Sequence, residues 1–445
     1  MKKIVTLILA LALVASVAIS LVACGAASEA TEIEMPAYDE LYAGVEIPST
    51  FKIGLICLHD ESSTYDLNFI NSAKAAVRAL GMSDSQLIIK TGVAEEGTAC
   101  YDTAKDLINQ DCTVIFADSF GHEAMMIKAA KEFTNVEFCH ATGTKAHTEN
   151  LPNYHNAFAS IYEGRYLAGI AAGMKLNEMI AAGKITADKA VMGYVGAYTY
   201  AEVISGYTSF YLGAKSVCPS VTMKVQFTGS WYDVTAEKTA AENLISQGCV
   251  LISQHADSMG APSACEKAGV PNVSYNGSTI DACPETFIVS SRINWEPYFK
   301  GIIAVGSGAL GEDATIPTDY TGSIKDGSVM LTGINADVAA EGTLQAIIKA
   351  RNALVKGELE VFDTSKFTVT VVAPSGAEGD FGVNTNASVN ANGTMTAYNA
   401  DVDDYGDYIG ETQVVQGGAF KESKFRSAPY FDLTIDGITL LNSVI

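Results

Sequence analysis

Two successive runs of alternating strand-like and helix-like segments constrain this 445-residue chain more than any other feature. The first run opens with Ile53-Gly-Leu-Ile-Cys-Leu58, a short apolar stretch suited to a buried strand. Asp66 is placed to cap a helix in which Phe69, Ala73, Ala76, Val77 and Leu80 recur at helical spacing, and Gly81 stops it. Strand 87–90, helix 99–109, strand 113–117, helix 122–133 and strand 136–139 follow. The rhythm then restarts with a long helix over about 162–182. After it come strands at 191–195, 221–227, 250–253 and 270–275, separated by helices at 200–216, 235–247 and 259–268. A further strand at 286–290 leads into a helix from about 296 that could return the chain to the first half. Such β-α-β alternation predicts parallel sheets with helices on both faces, here in two similar halves. The fold class read from this pattern is α/β.

The ends read differently. Lys2 and Lys3 precede an apolar stretch from Ile4 to Ile19 that ends in Leu21-Val-Ala-Cys24. A basic start with a short apolar core is an export signal rather than a spanning helix. Leu-Val-Ala-Cys resembles a bacterial lipobox, which implies that Cys24 is lipidated and becomes the new N-terminus; two acyl chains there suffice for stable anchoring. Residues 1–23 are thus expected as signal peptide and 24–48 as a flexible lipidated tether, with an extracytoplasmic, membrane-anchored location. The body divides into a first lobe (49–170), a second lobe (171–290) and a return to the first (291–356). A β-rich region over 357–445 ends the chain. With 51 acidic against 28 basic residues, the protein lacks the basic surface that nucleic-acid binding demands. Eight cysteines remain besides Cys24, with no Cys-x-x-Cys pair. Buried free thiols are expected rather than a zinc site, although export would permit disulfides.

Ligands of doubly wound sheets bind beyond the carboxyl ends of the strands. Here those ends carry aromatic rings and hydrogen-bonding groups in nearly every loop. Asp60 and Tyr65 follow the first strand, and Ser119, Phe120, Gly121 and His122 follow the third. Tyr198, Trp231, His255, Asp257 and Asn276 follow strands of the second half. Asn294 and Trp295 stand near the expected hinge, where Trp295 is a candidate for lining the cleft, and Trp231 either stacks on the ligand or packs at an interface. Two such rims facing each other suit a flat polar ligand.

The chain resembles the basic membrane protein family of substrate-binding lipoproteins of ABC importers. The resemblance covers about 50–355. It is carried by Phe120-Gly121, His140-Ala-Thr-Gly143, Ile161-Tyr-Glu-Gly-Arg-Tyr-Leu-Ala-Gly169, Gly229-Ser-Trp-Tyr-Asp233, Gln254-His-Ala-Asp-Ser258 and Asn294-Trp-Glu-Pro-Tyr298. It implies two Rossmann-like lobes of the type I periplasmic-binding-protein fold, joined by crossing strands, and a purine nucleoside or base as ligand. It places Tyr65 as the aromatic of the first lobe and Trp231 as that of the second. Ser119, Gly121 and His122 fall in the second binding loop, and Asp257 falls in another. Two departures favour a free base, or another small heterocycle, over ribose capture: Asn276 stands where the family usually has Asp, and the expected basic residue near the hinge is Arg292 or is replaced by Asn294. The partners implied are a separate permease and ATPase.

Other motifs fall away on inspection. Gly306-Ser-Gly-Ala-Leu-Gly311 matches a dinucleotide fingerprint but ends a helix instead of opening one. Asp401-x-Asp403-x-Tyr405-Gly406 lacks two calcium-loop ligands and reads as an acidic turn. His122 and His255 could meet in the cleft, yet no metal and no cofactor is expected, and no catalytic elbow, zinc helix or P-loop occurs. Arg165, close to Glu163, is expected in a structural ion pair. The rival readings are a sugar or signalling ligand, an extracellular nucleoside hydrolase, and a surface protein working through its C-terminal region.

Overall fold

A computed structural model describes residues 30–33, 42–375, 382–402 and 412–444. The expected signal peptide, Cys24 and positions 403–407 of the acidic turn lie outside the described residues.

The first six-stranded sheet is built from β1 (Ile53–Ile56), β2 (Leu87–Lys90), β3 (Val114–Ala117), β4 (Glu137–Ala141) and β5 (Tyr154–Ala159). Their helices are α1 (Thr64–Ala79), α2 (Ala99–Asn109), α3 (Glu123–Glu132) and the short α4 (Ala146–Glu149). After α5 (Ile161–Ala181), the second sheet takes β6 (Val191–Gly196), β7 (Thr222–Phe227), β8 (Leu251–His255), β9 (Asn272–Tyr275) and β10 (Phe287–Ile293). Helices α6 (Ala201–Val217), α7 (Val234–Ser246) and α8 (Gly260–Ala268) connect them. Next, α9 (Glu296–Gly306) and β11 (Asp319–Gly322) return to the first lobe, and β12 (Val329–Leu331) and α10 (Thr343–Val355) pack on the second. The strand orders are β11-β5-β4-β3-β1-β2 and β12-β10-β9-β8-β6-β7, every pairing parallel except β10 with β12. Both central strands β1 and β3 are fully buried, as continuous apolar runs in parallel sheets should be.

Local details depart from the sequence reading in instructive ways. Ser63, not Asp66, caps α1: its side chain accepts from the Asp66 backbone N–H, leaving the Asp66 carboxylate aimed elsewhere. Helix α5 packs on α6 and β10, so residues 161–170 lie with the second lobe rather than the first. A helix that is apolar on nearly every face needs a layer on each side, and α5 finds one in α6 and the other in the second sheet. Arg165 on this helix makes no carboxylate pair among the described residues. It is buried and donates to Ser274 O, Ser291 Oγ, Tyr194 OH and Ser253 Oγ at 2.8–3.3 Å, with three aromatic rings about it. The eight body cysteines are all buried and free. In the stretch expected as tether, Thr31 bridges to Ile334 and Ile33 is buried in the core.

The last region holds β13 (Ala387–Val389), β14 (Met395–Ala400), β15 (Thr412–Gln413), β16 (Val415–Gln416), β17 (Ala419–Phe420) and β18 (Ile438–Leu440). Phe362, Phe420 and Phe431 form its aromatic centre, with Phe362 stacked on Phe431 at 4.3 Å and reaching Tyr162 of α5 at 5.2 Å. Strand β18 then adds to the second sheet beside β7, in parallel. No described helix is long and apolar enough to cross a membrane.

Helices α5 and α6 pack backbone against backbone. A Cβ on Gly169 would overlap the carbonyl of Phe210, and one on Gly213 would overlap that of Tyr166. Because backbone lies opposite, no flexible side chain can yield. Gly213→Ala should therefore cost about 1–3 kcal/mol of stability, read as a lower urea midpoint; an unchanged midpoint would mean the helices can separate freely.

Candidate ligand-binding site

The carboxyl ends of the two sheets face each other across a narrow cavity. From the first lobe, His59 after β1, Ser119 and Phe120 after β3, and Thr142 after β4 reach it, together with Tyr65 and Asp66 from α1. From the second come Glu202 in the first turn of α6, Trp231 after β7, His255 and Asp257 from the end of β8, and Tyr275 at the end of β9. The lips already touch. Thr64 N and Oγ1 donate to Asp257 O at 3.1 and 3.2 Å, His59 lies 5.3 Å from Tyr232, and Phe120 lies 6.1 Å from Tyr200. The space left is about 30 Å³, room for two or three water molecules, so a planar ring enters only with movement of side chains or lobes.

The aromatic members are held by specific contacts. Tyr65 donates its hydroxyl to Asp118 O at 2.7 Å and packs on Phe69. Trp231 meets Tyr198 edge-on at 5.3 Å, and Tyr198 stacks on Tyr200 with planes 14° apart. Tyr198 thus supports the indole and does not line the narrow cavity. Phe120 sits on a loop tied by Glu95, whose Oε1 accepts from Ser119 Oγ (2.5 Å) and Gly121 N (2.8 Å). Thr142 has φ +65°, costly for a β-branched residue, on a loop anchored by the buried Glu123 carboxylate through Thr144 N and Lys145 N.

Charge is concentrated here. Burial, then Glu237, Asp66 and Glu202 nearby, push the Asp257 carboxyl well above the usual range. His255, 3.4 Å from Glu202 and packed on Tyr275, is held below the usual histidine value by burial and stays neutral. Burial opposes ionisation of Asp66 too, yet hydrogen bonds from His59 and Ser63 hold it below the ordinary carboxylate range. Behind it, Asp118 and Cys57 complete a cluster with donor atoms within 4.8 Å of one another. Burial raises the Cys57 thiol far out of the thiolate range, and the thiol hydrogen-bonds Asp118.

The other sequence candidates take different places. Trp295 is a core residue, stacked on Phe69 at 4.4 Å inside the first lobe; it starts α9, and that helix buries its first turn. His122 is fully buried, its Nε2 2.9 Å from Val93 O, and does not meet His255. Asp60 is exposed and accepts from Ser62. Asn276 is buried in a left-handed conformation beside β10. Asn294 donates to Gly327 O and holds a crossover, while Arg292 reaches Asn68 of α1. Sequence reasoning missed Asp66, which it read as a helix cap, and also Glu202, Thr142 and Tyr275. Thr142 follows a strand that runs two residues further than its apolar run suggested. Tyr275 is a strand's own last residue, and Glu202 gave only the ordinary signal of an acid in a first helical turn.

Asp118 generates a pH prediction. Burial and the charge of Asp66 raise its pKa well above the unfolded value, so above about pH 4 the folded state holds a proton the unfolded chain has lost. That contribution weakens folding as pH rises. Asp118→Asn removes it while keeping an acceptor for Leu58 N. Urea titrations should show the variant gaining on the parent between pH 4 and 8; a pH-independent difference would show that Asp118 ionises normally.

Comparison with known proteins agrees with this fold. A family model for PnrA-like ABC transporter substrate-binding proteins (Bmp) matches residues 53–363. A purine-binding protein of Brucella abortus is 33% identical over 51% of this chain and 60% of its own length. A protein of Haloferax volcanii, named as a candidate ABC transporter glucose-binding protein, is 31% identical over 58% of this chain and 61% of its own. These matches span about three-fifths of each relative. Among solved structures, ABC transporter solute-binding proteins of Conexibacter woesei (TM-score 0.55, 19% identity, 70% of this chain, 98% of that one) and Aeropyrum pernix (0.57, 15%, 70%, 93%) share the fold. The chain belongs to the Bmp family of PnrA-like ABC transporter substrate-binding proteins.

Proposed function

We propose that this protein captures a purine base or nucleoside between its lobes, outside the cytoplasm and tethered through Cys24, and delivers it to the permease of an ABC importer. One observation carries the reading: Tyr65 and Phe120 from one lobe and Trp231 from the other line a single cavity that also holds the carboxyl groups of Asp66 and Asp257. Rings supply the stacking surface for a planar heterocycle, and carboxyl groups accept from its N–H edges. The Brucella relative, named for purine binding, supports the same ligand class. Ligand bridging both lobes selects the closed form because only that form offers both sets of contacts. Asn276 lies buried beside β10 and Asn294 serves a crossover, which favours a free base over a nucleoside. Binding without turnover is expected, and incubation with nucleosides should yield no product.

Mass spectrometry of small molecules co-purifying with the protein, followed by calorimetric titration of purines, pyrimidines and hexoses, tests this. The hexose arm is included because the Haloferax relative's name points to glucose; hexose binding with no purine binding would replace the proposal. Trp231→Ala should cost about 1–3 kcal/mol of purine affinity with the fold intact. Trp295→Ala should instead cost about 3–5 kcal/mol of stability, as loss of a large core ring does. Purine affinity unchanged by Trp231→Ala would remove the indole from the site.

A further inference from the structure

Beside the narrow cavity lies a larger one of about 280 Å³, and the two share Phe120, Thr142, Glu202 and Trp231. Its far wall comes from Asp401 and from residues 426–432, beyond the span of the family match. The wall's charge is uneven. Glu202, Asp401 and Asp432 bring three carboxyl groups, and Arg426 brings the one cationic side chain among the described lining residues. Arg426 is already engaged: Nε and Nη2 donate to Ala428 O and Pro429 O at 3.2 and 3.0 Å, and Asp401, Glu422 and Asp319 surround its charge. His255 next to Glu202 is neutral, and the contact of Asp432 is the hydroxyl of Tyr398. Arg426 also acts on Asp432, so this one cation is shared among four carboxyl groups, while Glu202 borders the space with no cation set against it among the described residues. The rings of Tyr200, Trp231 and Tyr430 border it too.

We propose that this compartment receives a cationic arm of the ligand, a protonated amine or similar basic group carried by the purine held between the lobes. The inference rests on the purine reading above. Carboxylates and aromatic rings in a partly desolvated space are the pairing an ammonium group requires. A hydroxyl arm would leave Glu202 without a charge partner and the surplus of carboxyl groups over Arg426 unbalanced, and an anionic arm would be repelled. The C-terminal region thereby adds selectivity that the two lobes alone do not contain.

The test is calorimetric titration of the full chain with purines bearing a four-carbon arm at N6 or N9, ended by an amine, a hydroxyl or a carboxylate, alongside the unsubstituted purine. For at least one attachment point the amine should bind about tenfold more tightly than the hydroxyl, with the carboxylate weakest. Asp432→Asn should bring the amine-to-hydroxyl ratio towards one; the comparison on the unmodified protein stands even if this variant folds poorly. Unsubstituted purine binding with no amine preference at either position overturns the inference alone. Failure of every purine to bind overturns the purine reading and this inference with it.

Discussion

Everything in the binding geometry depends on three chain crossings that run side by side between the lobes. One joins β5 to α5, another β10 to α9, and the third β11 to β12. They are tied laterally: Ser160 N donates to Gly322 O at 2.8 Å, Ile324 N to Glu163 Oε2 at 2.8 Å, and Asn294 N to Ser328 O at 2.7 Å. Burial raises Glu163 to about 7. A single connection would let the lobes swivel in any direction. Three, bonded into a ribbon, restrict them to a bend, so that Tyr65 and Trp231 approach along one path.

The loops at the cleft are held by a second device. Three carboxyl groups each fix one rim segment, mostly through partners distant in the chain. Glu95 gathers Ser119 and Gly121, Glu123 gathers Thr144 and Lys145, and Glu237 gathers the backbone N–H groups of Asp233 and Ser258. Backbone N–H groups buried in loops need acceptors, and a carboxylate satisfies several at once. The strain at Thr142 persists because Glu123 determines the loop around it.

Much of this was legible in the sequence. The apolar runs at 53–58, 113–117, 191–195 and 250–253 mark strands because a parallel strand is covered on both faces and needs no alternation. The rim positions of Tyr65, Phe120, Trp231 and Asp257 then follow from where strands end. Strand β5, with Tyr, His and Asn among its six residues, and β11, Asp-Tyr-Thr-Gly, carry too little apolar signal to read as buried strands. Their polarity is matched by partners distant in sequence, as when His155 lies between Glu137 and Pro317 O. Trp295 misled for a related reason. An aromatic near a hinge motif looks the same in sequence whether its ring turns to solvent or to the core, and Phe69 opposite it decides the matter. The anchoring carboxylates were invisible because their partners lie 21–26 residues away in most cases, across a helix or strand.

The final segment runs along both lobes. Ser427 N donates to Asp319 and Ser423 O accepts from Thr321, both on β11 at the margin of the first sheet, while β18 is a strand of the second. Any change in the angle between lobes must break the first pair of contacts or deform the stretch between 428 and 437. Ala428, Pro429, Tyr430 and Asp432 of that stretch wall the larger compartment. The compartment's dimensions are thus geared to the angle of the jaws, and whatever fills it bears on that angle.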